Sequence, residues 1–113
     1  GDYVIDRLQL IKNIFMQSTD EPKLSIYTKL FHDMILEISE DKLRTLIKNW
    51  TGSTVARKHT KYHINFIKDS AHAVFFGTCN MDLDINEKYL DDETMHDTLI
   101  DILTTPMNKI IDD

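Results

Sequence analysis

The hydrophobic period of this chain changes once, near residue 60, and that change limits the folds open to it. Before it, apolar residues recur at steps of three and four. From Lys61 to Ile67 they alternate, with Tyr62, Ile64 and Phe66 on one side and His63 and Asn65 on the other. A helical stripe and a two-residue alternation bury different sets of side chains, so the chain must divide into a helical part and a β part.

In the helical part, Val4, Leu8, Ile11 and Phe15 lie on one face, widened by Ile5 and Ile14, and predict a first helix over residues 2–16. Ser18-Thr19-Asp20-Glu21-Pro22 ends it and opens a second, with capping side chains and a proline that the first turn tolerates. The second helix runs to about Ile38 with Tyr27, Leu30, Phe31, Met34, Ile35 and Ile38 inward. Ser39 caps a third helix carrying Leu43, Leu46, Ile47 and Trp50, and Gly52 is placed to end it in a left-handed conformation.

In the β part, residues 68–71 turn the chain into a second β-rich run over 72–79. A turn centred on Asp69-Ser70 sets Ile64 opposite Phe75 and Phe66 opposite Ala73 on the core side. His63, Asn65 and His72 then share the outer face with Val74 and Phe76. Alternation over 82–86 adds a third strand. A helix over 92–103 follows, with Met95, Leu99, Ile102 and Leu103 inward, and a last turn buries Ile110 or Ile111. The expected fold class is α+β: three N-terminal helices, a central β-hairpin or short antiparallel meander, and one or two C-terminal helices. At 113 residues this is expected to be one domain over residues 1–113, and the Gly-Asp start reads as that of a piece excised from a larger protein.

The charges are unevenly spread. Residues 1–41 carry −4, residues 42–68 carry +7 without a single acid, and residues 69–113 carry −9, within a net charge of −6. The middle block holds Lys42, Arg44, Lys48, Arg57, Lys58, Lys61 and Lys68. A third helix followed by a hairpin, both cationic, resembles the sequential layout of a winged helix-turn-helix domain. That resemblance implies a helix in the major groove and a hairpin on the phosphate backbone. Against it stand the acidic pI of about 5.2 and the ten-residue connection over 51–60. The other expectation is an acidic protein surface, or balance within the molecule.

No reaction is expected. Asp82, Asp84, Asn86 and Glu93 resemble positions one, three, five and twelve of the calcium loop of the EF-hand family. Glu87 stands where that loop takes glycine, however, and alternation alone makes these residues the wet face of a strand. Arg57 and His63 have the Arg-x5-His spacing of the HEPN ribonucleases, which carry it on a helix; here it falls at a loop-to-strand transition. His59, His63, His72 and Cys79 do not converge on a tetrahedral zinc site. Cys79 has no cationic sequence neighbour and is expected to be a structural thiol. Three glycines leave no glycine-rich cofactor loop. Trp50, Tyr62 and Phe75 are expected in the core, which leaves Val74 and Phe76 as an apolar strip on the hairpin.

The function expected from these features is that of a non-catalytic interaction or regulatory domain without metal or cofactor. It recognises a protein partner, or itself as a homodimer, through the outer hairpin face His63, Asn65, His72, Val74 and Phe76. Nucleic-acid binding by the basic block is the alternative. The longest apolar run, Ala73-Val74-Phe75-Phe76, is too short to enter a bilayer, so no membrane insertion is expected. A single cysteine makes a cytoplasmic location the default. Fourteen isoleucines against three alanines, with many Lys, Asp and Asn, are what AT-rich coding produces, as in a virus, phage or parasite.

Overall fold

A computed structural model describes residues 4–53 and 56–107. The fold is α+β. Among the described residues, five helices flank in sequence the strands of one four-stranded mixed sheet. The chain runs α1 (Arg7–Lys12), β1 (Ile14–Ser18), α2 (Leu24–Glu37), α3 (Glu40–Thr51), β2 (Tyr62–Ile67), β3 (Val74–Gly77), β4 (Asp82–Asn86), α4 (Lys88–Asp91) and α5 (His96–Leu103).

The predicted first helix is the largest departure. It spans only Arg7–Lys12, and the chain then extends into a strand. Its predicted stripe is only partly kept: Val4, Leu8 and Phe15 are exposed, while Ile5 and Ile14, expected to widen the stripe, enter the core with Leu10, and Ile11 packs against it. Asn13 is the switch. It ends the helix, is itself buried, and its side-chain amide donates to the Lys58 carbonyl at 2.8 Å. The β-branched and aromatic pair Ile14-Phe15 then suits a pleated strand better than another helical turn.

Helices α2 and α3 follow the expected pattern. Tyr27, Phe31, Met34 and Ile35 are buried along α2, as are Leu43, Leu46, Ile47 and Trp50 along α3. Ser39 Oγ accepts from the Lys42 amide at 3.2 Å, and Gly52 closes α3 at φ +83°. The end of α2 is capped from outside, where the Arg7 guanidinium donates to the carbonyls of Ile35 (3.0 Å) and Ile38 (2.6 Å).

The expected hairpin of residues 61–79 is not formed. The strand order is β1-β2-β4-β3, with β1–β2 and β2–β4 parallel and only β3–β4 antiparallel. Strand β4 takes the centre because Leu83 and Ile85 are both fully buried and need neighbours on either side. Each contributes about 1.5–3 kcal/mol by leaving water. The two parallel pairings require long connections, supplied by α2 with α3 and by the segment carrying β3.

This order also reverses β3. Val74 pairs with Ile85 and Phe76 with Leu83, so both point inward against the core, whereas Phe75 opposite Asp84 is 59% exposed. The inner face of the sheet therefore carries Ile14, Met16, Tyr62, Ile64, Phe66, Leu83, Ile85, Val74 and Phe76. It meets the helices through aromatic contacts: Tyr27 with Phe66 at 5.1 Å between centroids, and Trp50 with Tyr62 at 5.0 Å and Phe31 at 6.1 Å. In α5, Leu99 and Leu103 are buried, while the expected turn at Ile110 or Ile111 lies outside the described residues.

The reversed orientation of β3 has a direct test in paired truncations. Phe76→Ala is expected to destabilise the fold by about 1–3 kcal/mol and Phe75→Ala by less than about 0.5 kcal/mol, read from urea unfolding. Equal effects, or the opposite order, would contradict the register.

Candidate functional site: the open face of the sheet

The second face of the sheet has a different chemistry. One row crosses three strands as Phe15, His63 and Asp82, ending at Gly77 on β3, and the next crosses all four as Gln17, Asn65, Asp84 and Phe75. Phe15, His63 and Phe75 are exposed, and Asn65, Asp82 and Asp84 are half-buried. The second row is tied by side-chain hydrogen bonds: the Gln17 amide donates to Asn65 Oδ1, and Asn65 Nδ2 donates to Asp84 Oδ1 at 2.9 Å. In the first row, Phe15 stacks on His63 with centroids 5.8 Å apart and planes 27° apart. The Lys61 ammonium lies 5.8 Å from the centre of the Phe15 ring and 3.5 Å from Asn13 Oδ1.

Of the predicted outer-face residues, His63 and Asn65 do lie here. Val74 and Phe76 do not; Phe75 takes the place expected of Phe76. His72 precedes β3 in an exposed turn, where the buried Asn86 amide donates to the carbonyls of Ser70 (3.1 Å) and His72 (3.4 Å). Asn86 was expected on a wet face and is instead a buried clamp.

The seven bases do not form one surface. Arg44 pairs with Glu40 at 3.0 Å within α3, and Lys68 pairs with Asp20 at 3.5 Å beyond the far end of β2. Seven residues of near-extended chain, roughly 23 Å, separate Lys68 from Lys61. Arg57 and Lys58 share a cleft beside α1, with Lys61 at its edge. Lys42 and Lys48 are exposed on α3. Among the described residues β2 pairs in parallel with β1 and β4, so the hairpin expected over 61–79 as the wing is not formed there.

The acids meet elsewhere. Glu87 is 1% exposed; its Oε1 accepts from Ser18 Oγ (2.8 Å) and Thr19 Oγ1 (3.2 Å), and its Oε2 has no partner among the described residues. Nearby, the Tyr27 hydroxyl donates to Asp91 Oδ1 at 2.6 Å, and Lys23 lies 3.3 Å from the same oxygen. Burial first, then this hydrogen bond and the charges of Glu87, Asp91 and Asp20, push the Tyr27 phenol well above its ordinary value of 10.0. The same hydrogen bond, with Lys23, holds the Asp91 carboxyl below its ordinary 3.8. Among the described residues no cluster of three His, Cys, Asp or Glu could hold a metal ion.

Cys79 is exposed, in the short 3-10 turn Thr78–Asn80 between β3 and β4. The expectation of a structural thiol is corrected: this sulfur packs against no core. The turn beneath it is pinned, since Met81 adopts φ +54° and its carbonyl accepts from Trp50 Nε1 at 2.7 Å.

No protein-family model matches the chain. An uncharacterized protein of Acanthamoeba polyphaga mimivirus is 40% identical over 109 residues, which is 94% of this chain and 11% of that protein. The chain thus spans about a tenth of the relative it matches, and the viral origin of that relative agrees with the composition. No helix among the described residues is long and apolar enough to cross a membrane.

Two measurements probe this geometry. A raised phenol stabilises the fold below its unfolded pKa and loses that contribution as pH climbs toward the folded one. A lowered carboxyl contributes above its unfolded pKa and loses that contribution as pH falls through the folded one. In the native protein, Tyr27→Phe is therefore expected to remove none of the phenolate absorbance that develops by about pH 11. Loss of a clear share of it, one ionising tyrosine's worth, would place Tyr27 in water. Cys79 is expected to react fully with a thiol reagent in the folded state, and Cys79→Ser to change stability by less than about 0.5 kcal/mol. Modification only after denaturation would refute the exposed turn.

Proposed function

We propose that this chain is a non-catalytic protein-recognition domain whose contact surface is the open face of the sheet. The observation that carries this reading is the pair of exposed aromatics, Phe15 on edge strand β1 and Phe75 on edge strand β3. They stand on one face, three strand spacings and one row apart, roughly 16 Å, flanking the Gln17–Asn65–Asp84 ladder. Two apolar anchors around a fixed polar centre suit a folded partner, because aromatics supply the contact area and the ladder sets register. Lys61 and His63 lie toward the β1 side of the face, and Asp82 and Asp84 on the neighbouring β4 toward the β3 side. A partner of the complementary pattern is oriented by charge before contact.

A photoreactive benzoyl-phenylalanine at position 75 is expected to yield one discrete cross-linked protein product in extract of the producing cells. The same group at position 29, on the outer surface of α2, is expected to yield none. Sedimentation of the purified chain over a range of concentrations then separates a homodimer from a foreign partner. Diffuse labelling from both positions would remove this reading. Nucleic-acid binding would replace it if retention on immobilised DNA also fell steeply with salt and vanished in Lys58→Glu/Lys61→Glu.

A further inference from the structure

The C-terminal half of the basic block is carried into a cavity. Between α1 and the approach to β2 lies a cleft of about 340 Å³, lined by Gln9, Asn13, Arg57 and Lys58 over a floor of Leu10 and Tyr62. Leu10 and Tyr62 are buried at 3% and 1% exposure, so the floor is part of the core, while Arg57 and Lys58 are exposed at the rim. No ion pair engages either of these two cations among the described residues. The Asn13 side chain fixes the wall in two directions: its amide holds the Lys58 carbonyl, and its oxygen faces the Lys61 ammonium. Lys61 in turn lies over Phe15, which stacks on His63. The contacts Asn13–Lys61–Phe15–His63 thus lead from the cleft, at the start of β2 on the helix side, round the strand ends to the aromatic rings of the open face.

We infer that this surface binds a short acidic peptide segment bearing an aliphatic or aromatic side chain. Its carboxylates meet Arg57 and Lys58, and its apolar side chain lies against Phe15. Arg57 can hold a carboxylate through two parallel N–H donors, which fixes orientation as well as charge. The cleft also contains Asp6, whose carboxylate accepts from the Gln9 amide at 3.0 Å, and the face beyond His63 contains Asp82 and Asp84. An unbroken row of phosphates crossing this surface would lie against those three acids. A peptide can place neutral residues opposite them and acids only where cations stand. The chain's charge of −6 further disfavours a long polyanion while leaving a short segment to the local field.

This inference rests on the protein-recognition reading and narrows its partner. The probe is a fluorescein-labelled peptide of about a dozen residues with paired Glu at one end, neutral Ser spacers and Phe or Leu at the other, followed by anisotropy at low salt. Binding to the acidic peptide is expected with Kd on the order of 10 µM, and at least about tenfold weaker to the peptide with Gln for Glu. Arg57→Glu/Lys58→Glu is expected to lower affinity by about tenfold or more, and Phe15→Ala by about threefold or more. Lys42→Glu/Lys48→Glu, an equal charge change on α3, should leave it within about twofold. Milder Arg57→Gln/Lys58→Gln variants and thermal unfolding keep loss of binding separate from loss of fold. Equal binding of the Gln peptide, equal loss in both charge-reversal variants, or tighter binding of a thymidine oligonucleotide would each overturn the inference. A discrete cross-link from position 75 without peptide binding would defeat it alone and leave the recognition reading standing.

Discussion

The indole of Trp50 is the joint on which the two halves of this molecule depend. It sits at the end of α3, fully buried, with the Tyr62 ring of β2 on one side and the Phe31 ring of α2 meeting it edge-on. Its N–H reaches the Met81 carbonyl and fixes the turn that leads β4 into the sheet. One side chain thereby sets the distance of the helical layer from the sheet and the place where the central strand begins. A small residue there would lose about 3–5 kcal/mol of packing and would leave the Met81 carbonyl without its donor. That is a large part of the stability of an ordinary domain.

Helices α2 and α3 and the strand Tyr62–Ile67 are legible in the sequence because each has a period, a cap or a stop that local physics enforces. Ser39 and Gly52 act locally, and so does the alternation around Ile64. What fails is everything decided by distant partners. Val4, Leu8 and Phe15 have helical spacing, yet the chain extends after Asn13 because β2 offers a ladder across 48 residues. Strand alternation over 82–86 shows a β4 but not its neighbours. The antiparallel turn assumed at Asp69-Ser70 was the simplest local solution, and it lost to a central place for Leu83 and Ile85. Phe75 and Phe76 exchange faces as a result, since a different partner turns every side chain of a short strand over. The charge blocks were plain in the sequence. Their dispersal was not, because the pairing of Lys68 with Asp20 joins residues 48 apart.

The two faces of the sheet divide the work. The inner face is almost wholly apolar and fixes the fold, whereas the outer face mixes aromatic, amide, imidazole and carboxylate groups in ordered rows. The Gln17–Asn65–Asp84 ladder links its members laterally and fixes the direction of the central Asn65 amide, which both accepts and donates. The buried Glu87 carboxylate, bonded by Ser18 and Thr19, ties the end of β1 to the end of β4 and keeps the two outer rows level. Cys79, on its pinned turn, adds a chemically soft group at one end of the sheet.

The strand order has a kinetic side. Strands β1 and β2 are joined across both long helices, and β2 and β4 across the segment that contains β3, so the two parallel pairings close long loops before any contact offsets the lost chain freedom. Only the β3–β4 ribbon is local, and it is short, with its outer edge bearing an exposed phenylalanine. Until the helices dock and draw β2 beside it, that ribbon presents Leu83, Ile85 and Phe76 to solvent on an unpaired edge. Before β2 arrives, a nascent chain of this topology is open to pairing with another chain along the free edge of β4, a strand whose Leu83 and Ile85 end up fully buried.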